Sequence, residues 1–362
     1  MVQTTRIRVD RISSSTRNAR LGTEVIIGDE IIAKEGYVLA VRILTDKTKY
    51  DTVEDLAGRQ VKVHSGDILV GTLGIRRALR GYAGEVPEKI AVGDTIEVLN
   101  LGGILGRCTS ANPDIGPPFQ AEVLGAVLTF PELGDRIGKP AHIGNGAAAP
   151  ATKLECSVPV VYVVGTCMNA GKTVAATELV RGLSRAGLRV AACKLTGVSL
   201  MRDTLSMLDA GAVSALTFND AGVATTHPGV TVAVARGIFN RLAASRGGRP
   251  DVIVAELGDG ILGEYGVQDI LQDPELANLA AAWVMAAPDP VACWGADQLF
   301  KHRFHLPISV ITGPATDNEV GRDFITGVLG LPACNAVRSP EGLTAVALQA
   351  LTAMKQPVES AQ

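Results

Sequence analysis

The stretch that most limits what this chain can become runs from Val158 to Gly187. It opens with VPVVYVVGT, nine residues with no charge, and passes through a short glycine-bounded segment into GKTVAATELVRGLSRAG. A continuous apolar run of that length is the pattern of a strand buried on both faces of a parallel sheet. Val174, Leu179, Val180 and Leu183 then recur at helical spacing, and Gly187 supplies a C-terminal stop. A strand that must be covered on both sides and returns through a helix predicts a doubly wound α/β fold.

The rest of the C-terminal part continues the alternation. Strands are expected at 188–194, 251–257 and 307–313, with a short apolar segment at 283–287. Helices are expected near 201–211, 229–244, 267–282 and 290–303, after 317, and at 340–354. The polar stretch 195–228 reads as a long loop fit for a lid or a switch. The first 138 residues have another texture. Short runs such as VLAVRIL (38–44), VKVH (61–64) and IEVL (96–99) are separated by turns, three of which share Gly-Asp: Gly28-Asp29, Gly66-Asp67 and Gly93-Asp94. Gly-Asp turns feeding β-branched runs predict a smaller β-rich, barrel-like domain. Residues 139–157, rich in Ala, Gly and Pro without periodicity, read as a linker, which leaves 158–356 for the α/β domain.

Composition narrows the function classes. A net charge of −3 and 4% aromatic residues give neither a basic footprint nor stacking platforms for nucleic acid. No run approaches the roughly 18 apolar residues of a membrane span, and the polar, basic N-terminus lacks a signal-peptide core. Cys108, Cys156, Cys167, Cys193, Cys293 and Cys334 form no Cys-x-x-Cys pair, which suits reduced thiols in a cytoplasmic protein. The expected partner is a small-molecule substrate, with neither nucleic acid nor membrane; a homodimer is compatible with the chain.

The chemistry centres on Gly165-Thr166-Cys167-Met168-Asn169-Ala170-Gly171-Lys172-Thr173. Between a buried strand and a helix, backbone N–H groups of such a loop can cradle phosphates. Lys172 would reach the β and γ phosphates and the Thr173 hydroxyl would ligate Mg²⁺. Five residues separate Gly165 from Gly171 where the strict phosphate-loop pattern has four, so Thr166 stands at the first-glycine position. Glu256 ends the strand DVIVAEL and suits a metal or water-positioning role; Asp259 and Glu264 divide evenly between such a role and turn formation. Thr316-Asp317-Asn318 follows the strand PISVITG. Asn318 or Asp317 would cap the next helix, and Asn318 could also meet a nucleotide base. The Asn-Lys-x-Asp signature of guanine selection does not occur, which favours ATP over GTP.

The loop Gly-Thr-x-x-x-x-Gly-Lys-Thr resembles that of dethiobiotin synthetase and its relatives, over about residues 158–355. The resemblance implies a catalytic Lys194 beside Lys172, at the end of the second strand and followed by Leu195-Thr196-Gly197. It also implies Mg²⁺ ligation by Asp209 and Glu256 with Thr173, and ATP-dependent ligase or kinase chemistry on a carboxylate, carbamate or hydroxyl. Lys-x-Thr-Gly followed by Phe218-Asn219-Asp220 is similar also to D-glutamate N-acetyltransferase-like proteins, which would mean acyl transfer on a phosphate-loop scaffold. A nucleotide-switched, partner-binding protein is the remaining alternative.

Overall fold

The structure is a computed structural model and describes residues 4–132, 137–245 and 247–355. The outermost limits expected for the two domains, residues 1 and 356, lie outside the described residues. The chain divides into two compact units. One comprises Met1–Ala149 with Val198–Arg202 and Phe218–Thr226; the other comprises Pro150–Gly197, Asp203–Thr217 and His227–Gln362.

In the first unit, five strands close a ring: β1 (Val38–Ile43), β2 (Ile68–Leu73), β3 (Thr95–Val98), β4 (Ile104–Ala111) and β5 (Phe119–Thr129). Strand β5 pairs with β1, β1 with β2, β2 with β4, β4 with β3, and β3 returns to β5; only β2–β4 is parallel. Alternation along these strands builds the interior. Leu39, Val41, Ile43, Leu69, Leu73, Ile96, Val98, Leu105, Phe119, Ala121 and Val123 form one buried cluster to which every ring strand contributes. Their neighbours Val38, Ala40, Val70 and Ile104 belong to a second cluster on the other face. The barrel-like expectation therefore matches the pairing.

Two of the three Gly-Asp turns work as expected. Gly66 and Gly93 take φ of 93° and 91°, and Asp67 and Asp94 accept from the backbone N–H of His64 and Ala91 at 3.0 and 2.8 Å, closing turns that feed β2 and β3. Gly28 is different: it ends the strand Glu24–Gly28, and no strand follows until Val38. The stretch read as a linker starts inside this unit, since Lys139–Pro140 pairs with β5 and both Ala141 and Ile143 are buried.

The second unit carries a six-stranded parallel sheet: β6 (Val160–Gly165), β7 (Val190–Thr196), β8 (Ser214–Thr217), β9 (Val252–Leu257), β10 (Ala280–Ala286) and β11 (Val310–Thr312), in the order β8-β7-β9-β6-β10-β11. On one face, Val161, Val163, Val190, Val252, Val254 and Val284 join one cluster with helices α1 (Lys172–Arg185) and α5 (Pro340–Lys355). On the other face Tyr162 stacks on Trp283 at 4.4 Å. Phe239 of α3 (Thr231–Ala243) meets Tyr162 edge-on, and Phe300, just after α4 (Pro290–Leu299), meets Trp283 in the same way. Helices on both faces make the sheet doubly wound, as expected.

The sequence reading differs at two places. Within the polar stretch 195–228, α2 (Arg202–Asp209) matches the helix expected near 201–211, but β8 was not expected: it forms the sheet's edge, four residues long and without the apolar run that marks the central strands. The expected helix at 267–282 is two short helices, Val267–Gln272 and Pro274–Asn278, followed at once by β10. Pro274, seated at the start of the second helix, has no N–H to continue the first.

The first unit relies on the two segments that return to it late in the chain. Glu54, fully buried, accepts from the N–H of Met201 and Arg202 at 2.7 and 2.9 Å. Asn219 Nδ2 donates to Ser15 O at 3.0 Å, and Asn18 Nδ2 donates to Asn219 O at 2.6 Å. A fragment ending at Ala149 loses these partners, and each buried polar group left behind costs about 1–3 kcal/mol. Such a fragment should unfold, by far-UV circular dichroism in urea, at about 2–4 kcal/mol lower stability than this unit in the full chain. Equal stability would show that 198–202 and 218–226 are dispensable to it.

Candidate functional site

Residues 165–173 leave β6 at its C-terminal end and enter α1 at Lys172, the strand-loop-helix order that a phosphate loop needs. Two residues bend the loop: Asn169 with φ 64° and Gly171 with φ 98°, both left-handed, the first tolerated by Asn and the second suited to Gly. Thr166 does not take positive φ, so the first-glycine position of the strict pattern needs no glycine here. The glycine one residue earlier has its own reason. A Cβ on Gly165 would meet Cγ and Cδ of Lys172 at 2.8 Å, because the lysine stem folds back over it.

Lys172 is 6% exposed, and its Nζ donates to Cys167 O inside the loop at 2.7 Å. Burial pushes its pKa down, while Glu256 and Asp259 pull it up. Thr173 Oγ1 donates to Glu256 Oε1 at 3.0 Å. Ala170 is fully buried, and its carbonyl lies so near the end of β11 that a Cβ on Gly313 would stand 2.3 Å from it. The loop is thus seated among the carboxyl ends of β6, β9 and β11, where ligands bind in open parallel sheets.

Lys194 and Glu256 are register partners on the adjacent parallel strands β7 and β9. The Lys194 ammonium lies 3.9 Å from Glu256 Oε1 and forms an ion pair with Asp203. Glu256 is 1% exposed and its second oxygen, Oε2, has no hydrogen-bond partner among the described residues. Burial pushes the Glu256 carboxyl above the usual carboxylate range. Lys194 opposes that shift, Asp203 adds to it, and Lys172 and the Thr173 hydroxyl oppose it further.

Asp209 is not part of this arrangement. It is exposed at the far end of α2, six residues after Asp203, which on a helix means about 9 Å along the axis and about 120° around it. The acid that α2 supplies is Asp203, 4% exposed. The sequence held the signal, because Asp203 precedes the buried Met207 by four residues and so shares its face. Asn318 caps the helix Glu319–Asp323, accepting from Gly321 N at 3.1 Å, and is exposed. Of the expected residues, the structure brings together Gly165, Thr166, Asn169, Ala170, Gly171, Lys172, Thr173, Lys194 and Glu256, with Asp259 acting on Lys172; it adds Asp203 and leaves Asp209 and Asn318 aside.

Among the described residues no group of three or more His, Cys, Asp or Glu side chains is arranged to hold a metal ion. The Thr173 hydroxyl and the bare Oε2 of Glu256 are oxygen donors of the kind Mg²⁺ takes. That ion is commonly held by one or two protein oxygens, with phosphate and water completing its shell. Elsewhere, the first unit has an open cleft of about 540 Å³ lined by Arg20, Phe130 and His142 among others, and by none of the expected site residues. Its histidine has both ring nitrogens engaged, Nδ1 accepting from Gly144 N and Nε2 meeting Glu35 O.

The geometry defines the class of fold: a doubly wound parallel α/β unit with a phosphate-loop turn, preceded by a β-barrel-like unit. No family model matches the chain, and no curated protein matches it. Solved structures similar in part include the signal recognition particle receptor FtsY from Elizabethkingia anophelis, with 12% identity and a TM-score of 0.34 over 58% of this chain and 68% of that one. A DUF1611 family protein from Anabaena variabilis shares 16% identity at a TM-score of 0.35 over 56% of this chain; the match spans 63% of that protein, less than two thirds of its length. HypB from Helicobacter pylori, solved in complex with nickel, shares 17% at 0.35 over 56% of this chain and 92% of its own. Likenesses this partial leave the function to be read from the residues themselves. No helix among the described residues is long and apolar enough to cross a membrane.

Gly260 tests how closely the loop after β9 sits on the phosphate loop. A Cβ there would lie 2.6 Å from Thr166 O and 3.0 Å from Cys167 Cα, both backbone atoms that cannot swing away. Gly260→Ala should cost about 1–3 kcal/mol, read as a lowered melting temperature. Wild-type stability would mean that the two loops are free to separate.

Proposed function

We propose that the chain binds a nucleoside triphosphate with Mg²⁺ at residues 165–173 and transfers its terminal phosphoryl group to a small-molecule substrate, in kinase- or ligase-type chemistry. The observation that carries this reading is the hydrogen bond from Thr173 to Glu256, with the bare Oε2 of Glu256 beside it. It joins the helix-start hydroxyl to a strand-end carboxylate, the pair that would share one Mg²⁺. When bound, the ion would neutralise charge on the phosphate oxygens. Lys172 would leave the Cys167 carbonyl for the β and γ phosphates, and loop N–H groups would hold the rest. Lys194, fixed between Asp203 and Glu256, adds a second cation whose position is set in advance. Adenine remains the proposed base, on the missing guanine signature alone. Six free thiols support a reducing, cytoplasmic setting.

A second reading, a nucleotide-switched binding protein, draws on one observation. Residues 198–202 and 218–226, which follow β7 and β8, group with the first unit while their flanks group with the second. Phosphate release measured with a metabolite panel separates the two, since a switch needs a macromolecular partner for stimulation.

Lys172→Ala should abolish nucleotide binding, by calorimetry, with an unchanged far-UV spectrum; wild-type affinity would remove the loop from the mechanism. Glu256→Gln keeps the side chain's size and loses its charge. Nucleotide binding should survive with turnover reduced by about 10-fold or more. Normal turnover at limiting Mg²⁺ would make Glu256 a structural strand end.

A further inference from the structure

The loop after β9 carries a carboxylate that the metal reading does not use. Asp259 lies between Gly258 and Gly260, three residues beyond Glu256, and is 8% exposed. Its loop is fastened on two sides. Ile261 N donates to Gly165 O at 3.0 Å, and Gly260 lies against Thr166 and Cys167 at the start of the phosphate loop. On the other side Thr196 Oγ1 donates to Gly258 O, and a Cβ on Gly258 would stand 3.0 Å from Cε of Lys194. The residues on either side of Asp259 thus touch Lys194 and the phosphate loop, and its carboxylate is close enough to act electrostatically on Lys172.

Charge decides what such a group can do. Two ammonium groups, of Lys172 and Lys194, meet three carboxylates, of Asp203, Glu256 and Asp259. Asp203 and Glu256 engage Lys194, and in the proposed function Lys172 and Mg²⁺ are taken up by the phosphates. A carboxylate oxygen acting as nucleophile would bring no proton for Asp259 to accept, whereas an O–H group would.

We infer that Asp259 is a catalytic residue that accepts the hydrogen bond of a hydroxyl nucleophile, either a substrate alcohol or water, and aligns it with the terminal phosphorus. The inference rests on the proposed phosphoryl transfer and narrows its substrate to the hydroxyl class. In the step, the nucleophile oxygen bonds to the γ-phosphorus as the bond from that phosphorus to the β,γ-bridging oxygen breaks. The electron pair leaves with the nucleoside diphosphate, and the nucleophile's proton passes to the Asp259 carboxylate. Groups of this kind contribute typically about 10²–10⁴-fold to rate.

The test uses the full chain and water as nucleophile. Affinity is measured for MgADP and MgGDP alone and with aluminium fluoride, which mimics the phosphoryl group in flight with its in-line water. For wild type, Asp259→Asn and Asp259→Glu, melting temperatures confirm folding. Wild type should bind the diphosphate at least 10-fold tighter with aluminium fluoride. Asp259→Asn should lose that gain while keeping diphosphate affinity and Mg²⁺ requirement within about 3-fold, and Asp259→Glu should recover part of it. Wild type that binds neither diphosphate overturns the proposed function itself. Wild type that binds the diphosphate but gains nothing from aluminium fluoride overturns this inference alone. So does an Asp259→Asn protein that keeps the gain, or one that loses diphosphate or Mg²⁺ binding, which would make Asp259 a metal-site residue.

Discussion

Charge held out of water at the carboxyl ends of parallel strands is the condition on which the second unit's design turns. Lys172, Asp203, Glu256 and Asp259 are each less than a tenth exposed, and Lys194 little more. Removing any of these charges from water costs several kcal/mol, which mutual attraction recovers only with good geometry. That requirement explains the register of Lys194 with Glu256 and the hydrogen bond from Thr173. It also explains the glycines at 165, 258, 260 and 313, where a Cβ would collide with the lysine stems or with neighbouring backbone. A buried ionic cluster is a poor way to gain stability, since apolar replacements of equal volume often do as well. Its place at the carboxyl ends of the strands, where open parallel sheets bind ligands, supports the proposed site.

What could be read from the chain alone was whatever depended on neighbours in sequence. The uncharged run before Gly165 can be only a strand covered on both faces, and Lys172-Thr173 at the head of a periodic helix fixes the loop's place. Glu256 stands out for the same reason, as the one charge in the buried strand β9. Asp203 was within reach through its spacing to Met207, but the match by family order fell on Asp209, which the helical period turns away from Lys194. Strand β8 escaped because an edge strand needs no apolar run.

The first unit shows the opposite limit. Its local turns were legible, and the reciprocal closure by Asp67 and Asp94 is chemistry written in adjacent residues. Its closure into a ring and its completion by residues 198–202 and 218–226 are not. Glu54 and Met201 are 147 residues apart, and Asn219 and Ser15 are 204 apart. Texture changes once, near residue 150, while the chain passes between units five times. A change of composition marks one place in the chain, whereas the later crossings are made by segments of five and nine residues whose partners lie far away in sequence.

Those crossings bear on the proposed chemistry through covalent continuity alone. Lys194 and Asp203 form their ion pair in the second unit, and the chain between them is eight residues long, of which Val198–Arg202 belongs to the first unit. The backbone of that segment is held at Met201 and Arg202 by Glu54 and at Ser199 by Asn100 and Ala224. The segment that joins Lys194 to Asp203 thus takes its hydrogen bonds from residues of the first unit that the phosphate-loop pattern does not record.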